Sequence, residues 1–156
     1  MPTANTLNEW FAMAQGQYLL ERELAFFDHS VTDIFGFNAL QLGLPEFEFL
    51  RASRIPLRIV AGFDAGAQVK LNMSELAFEC CSLDLVLLPH VLEFNAHPHQ
   101  ILREVERVLR PEGHLIISGF NPRSLWGIRR AACKKSGYPW CGSFIALPRI
   151  KDWLAL

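Results

Sequence analysis

The sequence lacks several features that would assign it to a special class of protein. None of its apolar runs approaches the roughly 20 residues that a membrane-spanning helix needs. Residues 1–10 have neither the basic flank nor the apolar core of a secretory signal peptide. The four cysteines include no CxxC pair, and two are adjacent, which suits neither a disulfide framework nor a zinc site. We therefore expect a cytoplasmic protein with reduced thiols.

The sequence also lacks an excess of charge of either sign. Its 156 residues carry 15 Lys and Arg against 16 Asp and Glu, a formal net charge of -1. This balance provides no global field toward nucleic acid or an anionic membrane, so either partner would need a local patch. We expect a small-molecule substrate and neither of those partners. With 51% hydrophobic residues, the chain suits one globular domain over residues 1–156.

The hydrophobic pattern alternates between helical and strand-like spacing. Residues 1–36 are interpreted as a helical segment with Glu21 and Glu23 on its polar side, residues 37–120 as the sheet core, and residues 121–156 as a C-terminal helix and loop. The main helix is predicted to begin at Pro98 and to be stopped by residues 111–113. The predicted strands cover residues 38–44, 55–63, 67–71, 84–90 and 114–120.

This order of elements predicts an α/β fold with a Rossmann-like, mostly parallel sheet of about five strands flanked by helices. Ligands of such sheets bind beyond the carboxyl ends of the strands. One connection is unusual, because only seven residues separate Asp64 from Asn72, too few for a crossover helix. Either Asp64 is a hairpin turn residue, which we favour, or the crossover has been deleted.

Two segments resemble a known family. SELAFECCSLDLVLLPHVLEF (residues 74–94) and LREVERVLRPEG (residues 102–113) resemble class I S-adenosylmethionine-dependent methyltransferases of the small-molecule type in the order and spacing of their motifs. ISGFNP (residues 117–122), followed by SLWG, is similar to a proteobacterial branch of methyltransferase-like proteins. The resemblance implies a methyltransferase fold, S-adenosyl-L-methionine as cofactor, and methyl transfer to a small-molecule acceptor.

The family's cofactor loop, an acidic residue followed by Gly-x-Gly-x-Gly, is degenerate here. In the aligned stretch QLGLPEF, Gln41 stands at the acidic position and Gly43 at the first glycine. Pro45 and Phe47 replace the other two glycines, where the backbone should approach the ligand without side chains. The resemblance implies that Phe47 obstructs the usual cofactor pose unless the loop takes another path.

The resemblance implies further cofactor contacts after later strands. Asp64 stands where the family places the acid that binds the ribose hydroxyls, and Asn72 where it places the acid that binds the adenine. Met73 would form the adenine wall, and Pro89 belongs to the same implied cofactor set. The alternative for Asn72 and Met73 is a capping residue and a core residue.

His90 is the catalytic candidate, because it ends the central strand where the family places groups that face the methyl donor and the substrate. The ordinary pKa of an imidazole suits proton removal near neutral pH, and the alternative is a satisfied core histidine. His97 and His99 could join it as metal ligands, but no carboxylate or cysteine spacing completes a site. No metal is expected.

Three functions stay open at this point. The first is methyl transfer despite the degenerate loop, the second is an inactive methyltransferase-like binding or regulatory module, and the third is a Rossmann-type oxidoreductase. Family members continue into a final antiparallel hairpin, whereas this sequence stops at Leu156. We therefore expect the final strands to be missing, through truncation or a shorter gene. An unpaired sheet edge invites pairing with another copy, so a homodimer is predicted.

Overall fold

The computed structural model describes residues 4–63, 66–132 and 137–155. Among these residues, no helix combines the length and apolar character needed to cross a membrane. The helices are α1 (Leu7–Phe11), α2 (Ala14–Thr32), α3 (Pro98–Val108), α4 (Leu125–Ala132) and α5 (Leu147–Leu154), with a 3₁₀ turn at Leu92–Phe94. The strands are β1 (Asn38–Leu42), β2 (Leu57–Gly62), β3 (Val69–Lys70), β4 (Leu83–Pro89) and β5 (Leu109–Ser118).

The five strands form one sheet in the order β3-β2-β1-β4-β5, and all four neighbouring pairs are parallel. This confirms the predicted α/β fold and its number of strands. The chain moves outward from β1 to β3 on one side and from β4 to β5 on the other. The strand order therefore reverses between β1 and β4, which is where open α/β sheets form their ligand crevice.

Both faces of the central strands are covered, as their apolar sequence indicates. Residues 85–88 of β4 are fully buried, in agreement with a parallel strand between two layers of helices. Phe27 and Val31 of α2 belong to the core cluster on one face. Ile101 and Val105 of α3 belong to the cluster on the other face. The helical spacing of these apolar residues thus fixes which side of each helix meets the sheet.

The connection between β2 and β3 differs from the hairpin that we favoured. Ala61 pairs with Val69 and Gly62 with Lys70 in parallel register, so the hairpin interpretation was wrong and the crossover helix is deleted. Gln68 closes the short connection, because its backbone N–H donates to the Val60 carbonyl at 2.9 Å and its side-chain oxygen accepts from the Val60 N–H at 3.1 Å. Asp64 lies outside the described residues.

Strand β5 begins earlier than predicted. It starts at Leu109, directly after α3, rather than at His114. Leu83 pairs with Leu109, whereas Leu85 pairs with His114, so residues 110–113 form an irregularity in the ladder. The Pro-Glu-Gly segment therefore interrupts the strand pairing locally and does not form a separate loop before the strand.

Asp84 links the starts of three strands at the amino edge of the sheet. Its Oδ2 accepts the backbone N–H groups of Phe37 and Asn38 at 2.7 and 3.0 Å. Its Oδ1 accepts a hydrogen bond from Arg110 Nη1 at 2.8 Å. Burial raises the pKa of Asp84, but these three partners outweigh that effect and hold the pKa below its usual value.

Candidate functional site

A cleft of about 280 Å³ lies at the carboxyl ends of the strands. Its walls come from the residues that follow β1, β2, β3 and β4, and its cover comes from the segment before and within α1. The cleft therefore lies where the sheet topology places a ligand. The lining residues are Thr6, Leu7, Asn8, Gly43, Leu44, Phe63, Met73, Pro89, His90, Val91, Phe94, Asn95 and Tyr138.

Gly43, Met73, Pro89 and His90, all named from the sequence as site residues, line this one cleft. Two of the other predicted site residues, Gln41 and Asn72, are not among its lining residues. Asn72 Oδ1 accepts the N–H of Ser74 at 3.0 Å, which closes a local turn. The third, Asp64, is outside the described residues.

Gln41 supports the rebuilt loop from inside. Its side chain is fully buried, and Nε2 donates to the carbonyls of Gly43 at 3.2 Å, Leu44 at 3.1 Å and Phe47 at 2.8 Å. Its Oε1 accepts the Phe49 N–H at 3.1 Å. A carboxylate has no donor for these carbonyls, so the acidic residue of the family would not support this loop path.

The first two residues of the loop have left-handed backbone conformations. Gly43 has a φ of +83°, and a Cβ there would lie 3.2 Å from Val91 Cγ2. Leu44 has a φ of 47°, which is uncommon for a residue with a side chain. Glycine at position 43 thus lets the backbone pass close to Val91 and form the floor of the cleft.

Phe47 does not obstruct the cleft. Its ring makes edge-to-face contacts with Phe11 and Phe49 at centroid distances of 5.5 and 6.3 Å, and it packs against the core cluster on the α2 side of the sheet. Phe47 is not among the residues that line the cleft. Of the two alternatives that the sequence left open, the structure shows the second, in which the loop takes another path.

His90 is held between two carboxylates. The residue is 3% exposed, with Nδ1 2.7 Å from Glu93 Oε1 and Nε2 2.8 Å from Glu23 Oε1. Burial lowers the pKa of His90, but its hydrogen bonds and charge interactions with Glu23 and Glu93 outweigh burial and raise the pKa to about 9. At neutral pH the ring is therefore charged and donates from both nitrogens.

This geometry favours positioning over proton removal. An imidazolium with both N–H groups engaged has no lone pair with which to accept a proton. The ring also packs against Phe11 and Phe120 at centroid distances of 5.6 and 4.6 Å. His90 thus joins helix α2, through Glu23, to the end of β4.

Sequence reasoning missed Glu23, which it placed on the polar side of the first helical segment. The Glu23 side chain is only 14% exposed because it reaches inward to His90. One signal was present in the sequence. Glu23 lies three residues after Leu20 and four before Phe27, and this spacing puts a side chain on the apolar stripe of a helix.

Asn8 is a second residue that the sequence did not single out. It lines the cleft, and its buried Oδ1 has no hydrogen-bond partner among the described residues. A buried acceptor without a partner carries a desolvation cost.

Within residues 4–63, 66–132 and 137–155, no group of three or more His, Cys, Asp or Glu side chains is arranged to hold a metal ion. His99, one of the three histidines considered as ligands, packs its ring against Trp153 at a centroid distance of 4.6 Å. His97 is the N-cap residue of α3.

Comparison with known families gives a match to the family described as Methyltransferase domain over residues 54–117. This stretch begins shortly before β2 and ends within β5. It includes the turn before β4, all of β4, and α3, which are the segments that carry the resemblance in the sequence.

Two curated proteins are similar to this chain. It is 34% identical over 140 residues to Uncharacterized protein YafS of Escherichia coli (strain K12), covering 88% of this chain and 57% of that protein. It is 27% identical over 116 residues to Malonyl-[acyl-carrier protein] O-methyltransferase of Methylovorus sp. (strain MP688), covering 74% of this chain and 39% of that protein. The chain thus spans about half the length of the curated relatives it matches.

The fold is similar to that of a solved SAM-dependent methyltransferase of Thermotoga maritima, a possible histamine N-methyltransferase. The TM-score is 0.72 at 17% identity, with 96% of this chain and 78% of that chain covered. The agreement at such low identity concerns the fold alone. Residues 54–117 thus match a methyltransferase domain, and the fold is that of class I methyltransferases, whose cofactor is S-adenosylmethionine.

Proposed function

We propose that this chain binds S-adenosylmethionine in the cleft beyond β1 and β4 and directs methyl transfer to a small-molecule acceptor. One observation carries the proposal: the degenerate loop leaves the cleft open. Gln41 holds the loop by its amide, Phe47 packs into the core, and Gly43 presents bare backbone to the cleft.

The cleft residues fit this cofactor in chemistry. Met73 and Val91 offer apolar surface for a flat ring, and the buried Asn8 Oδ1 is an acceptor for an amino group. The volume of about 280 Å³ is just below the usual range of small-molecule pockets, about 300–1,000 Å³. We therefore expect the covering segment, residues 4–8, to shift when the cofactor binds.

When bound, S-adenosylmethionine would supply the methyl group of its sulfonium: the acceptor would attack that methyl carbon in line, and S-adenosylhomocysteine would leave as a neutral thioether. The chain contributes positioning and exclusion of water, which are the main requirements of such a displacement. His90 acts as a positioning residue in this proposal, since its ring nitrogens are engaged with Glu23 and Glu93. The acceptor that fits best is a nucleophile that needs no base, such as a neutral amine, a thiolate or a carboxylate.

The setting that we propose is the cytoplasm. Cys80, Cys81 and Cys141 are exposed free thiols, and exposed thiols persist in reducing compartments.

The alternative is a binding module that has kept the sheet but not the cofactor. The small volume of the cleft and the inward-facing loop carbonyls at Gln41 favour this alternative. Carbonyls that point to Gln41 are not available to a cofactor ammonium group.

Calorimetric titration with S-adenosylmethionine and S-adenosylhomocysteine separates the two functions. We expect saturable binding of both ligands. Asn8→Ala should weaken binding about five- to tenfold, because it removes one buried acceptor, while Gln17→Ala, at an exposed position of α2 away from the cleft lining, is the control without effect. If neither ligand produces heat or a thermal shift at millimolar concentration, the cofactor proposal fails and the module remains.

A further inference from the structure

Helix α4 presents large apolar side chains to solvent. Leu125 is 83% exposed and Ile128, about one turn later, is 63% exposed. The opposite side of the helix faces the protein, where the Trp126 ring meets the rings of Trp10 and Phe120 at 5.6 and 6.0 Å. The fold therefore holds α4 by its Trp126 side and leaves Leu125 and Ile128 free of the core.

Two arginines of α4 are held on aromatic rings, Arg129 next to the apolar face and Arg130 on the Trp126 side. The guanidinium of Arg129 lies over the Trp140 ring at 5.7 Å, and that of Arg130 lies over the Phe144 ring at 4.8 Å. Arg130 Nε also donates to the Trp140 carbonyl at 3.2 Å. Guanidinium groups held in this way lose less side-chain entropy when they bind an anion, and their planar fork suits phosphate.

The charge of the whole chain conceals the charge of this region. Residues 113–151 contain seven Lys and Arg and no Asp or Glu, whereas residues 1–112 contain eight Lys and Arg against fifteen Asp and Glu. The balanced overall charge predicts no membrane or nucleic-acid partner unless the chain has a local patch of one charge. This region supplies such a patch, because the exposed Arg123 lies just before α4 and Arg129 lies within it, next to Ile128 in the sequence.

We propose that α4 and its flanking arginines bind the surface of an anionic lipid bilayer. Leu125 and Ile128 enter the interfacial region, and Arg123 and Arg129 contact lipid phosphates. This combination of apolar anchors and cations on a short surface helix is typical of interfacial binding. The proposal is independent of cofactor binding in the cleft.

A bilayer fits this face better than an acidic protein does. Anchor residues of protein interfaces fill complementary pockets and are surrounded by a ring of further contacts. Leu125 protrudes from the first turn of α4 with most of its surface free. A fluid lipid surface accommodates a protruding side chain without a preformed pocket.

The test is co-sedimentation of the protein with vesicles of phosphatidylcholine alone or with about a third phosphatidylglycerol. We expect binding only to the anionic vesicles, and weaker binding at high salt. Each cation near an anionic surface contributes a factor of about five in partitioning. The exposed Arg123→Gln should therefore lower the partition coefficient about fivefold, and Leu125→Ser at least as much through lost apolar burial.

Matched controls come from exposed residues elsewhere. Arg54→Gln and Leu57→Ser, at exposed positions outside residues 113–151, should leave the partition coefficient unchanged, and unchanged melting temperatures verify that all four variants fold. Absence of binding to anionic vesicles overturns the proposal, and so does an equal loss in the controls. If the protein instead binds poly-glutamate in a manner that requires Leu125, the face belongs to an acidic protein partner and the bilayer proposal is wrong.

Discussion

His90 joins α2 to the end of β4 as a buried cation, and this charge makes stability depend on pH. Its folded pKa of about 9 lies above the ordinary 6.5. The stabilisation from its charge is therefore complete below about pH 6.5 and is lost as the pH rises through about 9. We expect the free energy of unfolding to fall by on the order of a few kcal/mol across this window, measured by denaturant unfolding at several pH values.

His90→Asn is the informative variant for this prediction. His90 has a φ of 51°, and Asn tolerates the left-handed region better than other residues with a side chain. The variant keeps the backbone but cannot become charged. It should be less stable than the wild type below about pH 6.5. Its own free energy of unfolding should change little between about pH 6.5 and pH 9, where that of the wild type falls. A pH slope equal to that of the wild type would show that His90 is not the titrating group.

Substitution of Gln41 tests how the loop after β1 (residues 43–47) is held. The test replaces Gln41 by an acidic residue, the type that the family has at this position. Gln41→Glu would place a buried carboxylate against the carbonyls of Gly43, Leu44 and Phe47. We expect a loss of about 3 kcal/mol in unfolding free energy near neutral pH. Burial should raise the pKa of the new carboxyl. At lower pH the protonated carboxyl can donate a hydrogen bond to a loop carbonyl, so acidification should restore part of the lost unfolding free energy.

The control for this variant is Gln41→Leu, which removes the same donors without adding an acid. It should be destabilised without recovery at lower pH. A Gln41→Glu protein as stable as the wild type would contradict the role assigned to the Gln41 amide.

Helix α3 fixes the turn that carries the motif before β4. Leu76 N–H donates to Glu104 Oε2 at 2.9 Å, while Arg107 donates to the carbonyls of Leu76 and Phe78 at 2.8 and 2.9 Å. The side-chain hydrogen bond from Arg107 also holds the pKa of Glu104 below its usual value. The i,i+3 spacing of Glu104 and Arg107 predicts only an ion pair on the helix surface. In the structure, this pair also anchors the loop next to Met73.

Arg107→Ala should lower the unfolding free energy by about 1–2 kcal/mol, because two turn carbonyls lose their donor. Arg103→Ala, an exposed arginine on the same helix, should change it by less than about 0.5 kcal/mol. Thermal or denaturant unfolding of both variants makes the comparison. Equal effects would mean that the turn does not depend on Arg107.

Some elements were predictable because local pattern and tertiary role agree. The apolar run of β4 and the stripe of Ile101 and Val105 on α3 indicate burial without knowledge of the fold. The β2 to β3 connection was not predictable, because it depends on a hydrogen bond from the Val60 N–H to the side-chain oxygen of Gln68, where a strand would normally supply a backbone carbonyl. No spacing rule describes a contact of this kind.

The residues of the candidate site also fall into two groups, those that sequence motifs predict and those that only the packing of the whole molecule brings to the site. Gly43, Met73 and His90 follow strands, Pro89 ends one, and all four were predicted from motifs. Asn8 and Glu23 reach the site only because α1 and α2 pack over the strand ends, a relation between distant segments that local spacing does not contain. The loop path also depended on tertiary packing, since Phe47 finds its place between Phe11 and Phe49.

A homodimer through the edge of β5 stays a prediction for the whole molecule. Within the described part of the chain, β5 pairs with β4 and with no other strand. An exposed strand edge favours pairing with another copy. Size-exclusion chromatography with light scattering at about 10 µM should give twice the mass of the chain, and a monomer would contradict the prediction.

Amide hydrogen exchange with and without S-adenosylhomocysteine tests most directly whether the cleft beyond β1 and β4 is the cofactor site. Saturating ligand should slow exchange in residues 4–8, 43–47 and 89–95, because these segments line or adjoin the cleft. Residues 147–155, which include α5, should exchange at an unchanged rate. Protection confined to α5, or no protection in any segment, would contradict binding in the cleft.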